Sequence, residues 1–275
     1  MSTQTDWDDA YANMAYVAGS DAFPAMWKAD GAAYRDSGVQ WDEHSYGSDP
    51  RARFDIFWPE AQPKGLAVFV HGGYWLRTGK SDWSQFAEGA RQQGWAVCLP
   101  QYTLAPEARI SEMTAQIGRA ISSAAKLVSG PIRLAGHSAG GHLVSRMMCE
   151  DTPLAADVME RLEACVSISG LHDLRPIMRT EMNDKLGLDS AEARQESAAL
   201  QDPHQAARMT AWVGGGERPE FIRQARLLHN AWSGFDVEIN LHIDGTHDHF
   251  SVIEGLKDPQ SALTTCFVGN DQSQT

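Results

Sequence analysis

The chain has 275 residues, 43% of them hydrophobic and 21% charged, which is ample apolar material for one sizeable core. Its formal charge of −13 gives no general attraction to phosphate backbones or anionic lipid, so nucleic acid and membrane surfaces are not expected partners. The cysteines (Cys98, Cys149, Cys165 and Cys266) are scattered and form no CxxC pair, which predicts reduced thiols, a cytoplasmic location and no cysteine-built zinc site.

The polar, acidic start from Met1 to Asp9 is unlike a secretory signal, and no apolar run approaches the ~20 residues that span a bilayer. The first 45 or so residues, rich in Ala, Tyr, Trp and Met, read as an N-terminal arm with helical spacing in places. Arg51 to Trp58 alternates in part and predicts an antiparallel strand. Leu66 to Val70 is a short apolar strand that ends in His71-Gly72-Gly73. Ser81 is placed to cap a helix running to about Gln93, with Gly94 to stop it. Trp95 to Leu99 is the next strand, and Met113, Ile117, Ile121 and Ala124 keep helical spacing to about Val128.

Pro131 to Ala135 predicts a strand, followed by a glycine-rich turn and a helix through Met148. Strands over Ala164–Ile168, Arg208–Val213 and Val237–Ile243 follow, with a helix over Pro219–Trp232 before the last. Short apolar strands alternating with helices imply an α/β fold, a mostly parallel sheet covered on both faces. The stretch at about 170–207 lacks a clear strand and reads as a small helical cap over the carboxyl ends, where functional groups gather. One domain over 1–268 and a tail over 269–275 are expected.

Gly136-His137-Ser138-Ala139-Gly140 fits G-x-S-x-G between a strand and a helix, the context in which a tight turn exposes a nucleophilic serine. Gly72 and Gly73 end an earlier strand, where unobstructed backbone amides can hold an oxyanion. The amide of Ala139 is a further donor. In this fold the acid and then the histidine follow the serine. Glu217 stands directly after Gly214-Gly215-Gly216 at a strand end, whereas Glu220 falls in the first helical turn, where a carboxylate favours the helix dipole. His247 and His249 both follow the last strand. Tyr74 and Trp75 come just past the oxyanion glycines and are expected to face the substrate, with Trp75 as a pocket wall.

His71-Gly72-Gly73-Tyr74-Trp75 and Gly136 to His142 resemble the arylformamidases (kynurenine formamidases), a branch of the α/β-hydrolases near the hormone-sensitive-lipase-like esterases. Residues 102–107, 169–176, 219–224 and 248–253 agree as well. The resemblance implies an α/β-hydrolase fold and hydrolysis of an N-formyl group on an aromatic amine. It also implies a lid role for the N-terminal segment with Phe23, Met26 and Trp27, which by its residues reads equally as an ordinary packing arm. Through the Asp248-His249-Phe250 segment it favours His249 over His247 as the base. It departs at the acid, commonly Asp in this family and Glu217 here.

The expected catalytic set is therefore Ser138, Glu217 and His249, with Gly72, Gly73 and Ala139 as oxyanion donors. No cofactor or metal is called for, since His172 and His247 find no third ligand at convincing spacing. His137, His142 and His71 read as structural. The expected partner is a small acyl amide or ester, and a homodimer is compatible with the sequence. Rival readings are a carboxylesterase or thioesterase on short acyl esters, a non-catalytic ligand-binding protein on the same scaffold, and a peptidase.

Overall fold

The computed structural model describes residues 5–245 and 247–269; Thr246 and most of the expected tail, 270–275, lie outside the described residues. Eight strands form one sheet in the order β1-β2-β4-β3-β5-β6-β7-β8. They are β1 (Trp41–Ser45), β2 (Arg53–Phe57), β3 (Leu66–Val70), β4 (Ala96–Pro100), β5 (Ile132–His137), β6 (Leu162–Ile168), β7 (Arg208–Gly214) and β8 (Glu238–Asp244). The β1–β2 and β2–β4 pairings are antiparallel and every later one is parallel.

The central strands β3 and β4 are apolar and buried throughout because helices cover both faces. Their side chains alternate between two cores: Leu66, Val68 and Val70 of β3 join one, and Ala67 and Phe69 the other. Helices Ile110–Ala124, Ala139–Arg146 and Pro219–Trp232 pack on the first face, and Phe23–Asp36, Glu88–Gln92 and Ala262–Val268 on the second. Among the described residues no helix is long and apolar enough to cross a membrane.

Two elements differ from expectation. β1 has no apolar run to announce it, since Trp41-Asp42-Glu43-His44-Ser45 is an edge strand with most side chains at the surface. The segment after Gly79 begins as a 3-10 helix over Lys80–Ala87 and becomes α-helical at Glu88. Its first turn is closed by the Asp82 carboxylate, which accepts the Gly79 N–H at 3.0 Å, and not by Ser81. The insertion at 170–207 holds four short helical turns, and its apolar residues Leu171, Leu174, Ile177 and Leu186 belong to the first core.

Candidate active site

Ser138 sits between β5 and the helix Ala139–Arg146 with φ 56° and ψ −116°. A non-glycine residue in such a conformation costs about 1–3 kcal/mol and persists only where its surroundings impose it. Here two glycines do so: a Cβ on Gly136 would collide with the Gly140 carbonyl, and one on Gly140 with the Val70 carbonyl. The backbone is thus bent as tightly as its atoms permit. The Ser138 N–H donates to the Ile168 carbonyl at 2.8 Å, fixing the turn to β6.

The expected acid and base lie just beyond the ends of β7 and β8. Glu217 Oε2 lies 2.7 Å from His249 Nδ1. The other oxygen, Oε1, accepts the Gly214 N–H at 2.8 Å and the Ser169 hydroxyl. With both oxygens engaged, the Glu217 carboxylate has a single orientation. His249 is placed by its neighbour Asp248, whose carboxylate accepts the N–H groups of Phe250 at 2.8 Å and Ser251 at 2.9 Å.

The two alternatives lie elsewhere. Glu220, at the start of helix Pro219–Trp232, accepts from the Tyr11 hydroxyl at 2.8 Å and from Arg223 and Gln224. His247 has its side chain 40% exposed, with Nε2 3.8 Å from Asp244.

The ring of His137, which reads from sequence as structural, lies 4.7 Å from that of His249, and its Nε2 is 2.8 Å from the His249 carbonyl. Burial and the neighbouring His249 hold His137 well below the ordinary histidine range, so it is neutral and suits a positioning role. His71 is pushed down to about 4 by burial; its Nδ1 lies 2.8 Å from the Gly72 carbonyl, which ties the ring to the glycine loop. His142 and His172 are each lowered to about 3 by burial. His142 Nε2 is 2.7 Å from the Glu196 carbonyl.

The Gly72-Gly73 loop abuts the serine turn: a Cβ on Gly72 would lie 2.9 Å from the His137 carbonyl and 3.1 Å from Ser138 Cβ. Among the described residues no backbone–backbone hydrogen bond uses the N–H of Gly72, Gly73 or Ala139. The two following aromatics part company. Tyr74 and Trp75 both have positive φ, 52° and 59°, and this double left-handed turn sends their rings in different directions.

Tyr74 lines the cavity beside Ser138. Trp75 does not: it is fully buried in the first core, edge-on to His142 at 5.3 Å. The expectation of Trp75 as a pocket wall is therefore corrected.

Ser138, His137 and His249 open on a cavity of about 280 Å³. Seven of its lining residues come from the N-terminal arm, between Asp8 and Trp27, whereas the 170–207 insertion contributes only Met182. The arm is held by long-range pairs. The Tyr74 hydroxyl donates to the Tyr11 carbonyl at 2.6 Å, Phe23 stacks on Phe250 at 5.0 Å, and Trp27 packs on Trp83 at 4.6 Å. Sequence periodicity gave no sign of these contacts, because each partner lies at least 50 residues away in the chain.

The family model for the α/β hydrolase fold matches residues 67–220. Kynurenine formamidase of Danio rerio is 28% identical over 228 residues, covering 80% of this chain and 78% of that one. The Drosophila melanogaster kynurenine formamidase is 25% identical over 236 residues, covering 79% and 77%. Among solved structures, a proposed thioesterase from Silicibacter sp. TM1040 superposes with a TM-score of 0.89 and 46% identity, over 96% of this chain and 99% of that one. Esterase B of Lactobacillus rhamnosis, at 17% identity and TM-score 0.67 over 89% and 91%, shares the fold. From sheet order, serine turn and these likenesses together, the chain belongs to the α/β-hydrolase family, on its arylformamidase-like branch.

Proposed function

We propose that this protein is a serine hydrolase that removes a small acyl group, formyl foremost, from an aromatic amine such as that of N-formylkynurenine. One observation carries the reading: His249, paired with Glu217 at 2.7 Å, lines the same cavity as Ser138, which a positive φ of 56° holds in a tight strand-to-helix turn. His249, oriented by Glu217, takes the Ser138 proton as the serine oxygen attacks the carbonyl carbon. The carbonyl electron pair becomes an oxyanion, met by the amides of Gly73 and Ala139, with Gly72 contributing. Collapse of that intermediate breaks the C–N bond, and His249 returns its proton to the departing amine. Water then repeats the sequence on the formyl-serine and releases formate.

The aromatic half of the substrate finds Tyr74, Trp27, Trp83 and Phe250 in the lining. Each well-placed ring pair is worth about 0.5–1.5 kcal/mol beyond burial. The formamidase relatives favour an amide substrate, while the 46% likeness to a proposed thioesterase favours a short acyl thioester as the second reading. Steady-state rates on N-formylkynurenine, p-nitrophenyl acetate and acetyl-CoA separate them. Formamide turnover with weak thioester turnover is expected. Thioester turnover without formamide turnover replaces the first reading by the second.

A further inference from the structure

The cavity lining is apolar and aromatic apart from the Ser138 cluster, Asn13, Thr78 and two charged residues, Asp8 and Arg77. Arg77 follows the oxyanion loop directly and is tied to it, since its N–H donates to the Gly73 carbonyl at 3.2 Å. Its side chain is exposed, so it stands where the cavity meets solvent. Arg35, Arg91, Arg133 and Arg146 each hold a carboxylate. The Arg77 guanidinium, among the described residues, has no hydrogen-bond or ion-pair partner. A net charge of −13, and Asp8 in the same lining, oppose any general pull on anions, so this cation acts only locally.

We propose that Arg77 is a specificity-determining residue that pairs with a carboxylate on the part of the substrate extending from the Ser138 cavity towards solvent. The proposal rests on the serine-hydrolase reading and narrows it to acyl derivatives of aromatic acids or aromatic amino acids. A planar guanidinium suits a carboxylate because it offers two parallel N–H donors. Its exposure keeps the gain moderate, since solvent and salt weaken a surface pair.

The test compares N-formylkynurenine with its primary amide, which loses only the negative charge, on wild type, Arg77→Gln and Arg77→Lys. Wild type is expected to favour the acid by about three- to tenfold in kcat/KM, with the difference in KM and diminished by added salt. Arg77→Gln brings that ratio to within twofold of unity, and Arg77→Lys restores at least part of it. A ratio near unity in wild type, or one unchanged in Arg77→Gln, overturns the proposal.

A second pair, 3-(4-acetoxyphenyl)propanoate and its primary amide, separates this from failure of the formamidase reading. If neither formamide turns over while the ester pair shows the Arg77-dependent preference, the formamide assignment falls and carboxylate recognition stands. Acetyl-CoA is run alongside. An Arg77-dependent KM for it, without a carboxylate preference in either pair, overturns the proposal in favour of a phosphate.

Discussion

The serine turn and the N-terminal arm meet at one cavity but are held there by different means. Around Ser138 the contacts are backbone against backbone, with Gly136 and Gly140 leaving no room for a side chain. Around the arm they are side-chain pairs across the chain, such as the Tyr11 hydroxyl on Glu220, 209 residues away. Packing of the first kind is all-or-none, whereas the second is a set of bonds worth about 0.5–1.5 kcal/mol each. Under the proposed function the turn fixes where bonds break, and the arm, which can be altered piecemeal, fixes what fits. Segments held by a few such bonds are also where local opening is least costly.

The largest expected effect lies at the turn. Ser138→Ala should lower kcat by about 10⁴-fold or more, because the proposed triad acts as a unit. The hydroxyl makes no structural contact of note, so stability should change by less than ~1 kcal/mol. Kinetics beside a thermal melt check both, and near-normal turnover would remove the serine mechanism. Next comes the acid. Glu217→Gln should depress kcat by about 10³-fold or more with little change in KM, since the amide favours the wrong tautomer of the histidine. Glu220→Gln should spare kcat to within about threefold while costing about 0.5–2 kcal/mol, because it weakens the arm's anchor. If the two substitutions exchange phenotypes, the division between turn and arm is wrong.

A third prediction concerns acid. His71, His142 and His172 have pKa values of about 4, 3 and 3, below the ordinary 6.5, and His137 is also depressed. Between those values the unfolded chain binds more protons than the folded one. Their contribution is therefore complete above about pH 6.5 and lost as pH falls towards 4 and 3. The loss should be on the order of 1 kcal/mol per pH unit for each histidine. Urea midpoints at pH 7.5 and 5.5 measure it, and equal midpoints would contradict it. The smallest effect is Tyr11→Phe, which should raise KM a few-fold and cost about 1 kcal/mol with kcat nearly unchanged. A kcat loss as large as that of Glu217→Gln would mean that the arm is part of the chemistry.

The central strands could be read from sequence because burial on both faces makes them continuous apolar runs, as in Leu66–Val70. Ser138 and Glu217 drew attention because they follow strands of that kind, β5 and β7, whereas β8 alternates as an edge strand and His249 was singled out through the resemblance of Asp248-His249-Phe250. β1 was missed because an edge strand carries no such run. Trp75 was misplaced because residue counting cannot reveal two successive left-handed residues, and they turn the second ring into the core. The arm's share of the cavity depends on contacts between distant segments, which no local pattern records.

The way Gly72 and Gly140 lie against one another's strands has a consequence for descent and redesign. Gly72 is seated on the His137 carbonyl and Gly140 on the Val70 carbonyl, so each segment occupies the space the other leaves. Substitutions in 70–73 and in 136–140 are then strongly epistatic: a change tolerated in one background is lethal in another, and double-mutant cycles across the contact should depart from additivity. Anyone grafting this site onto another hydrolase has to move both segments as a single cassette.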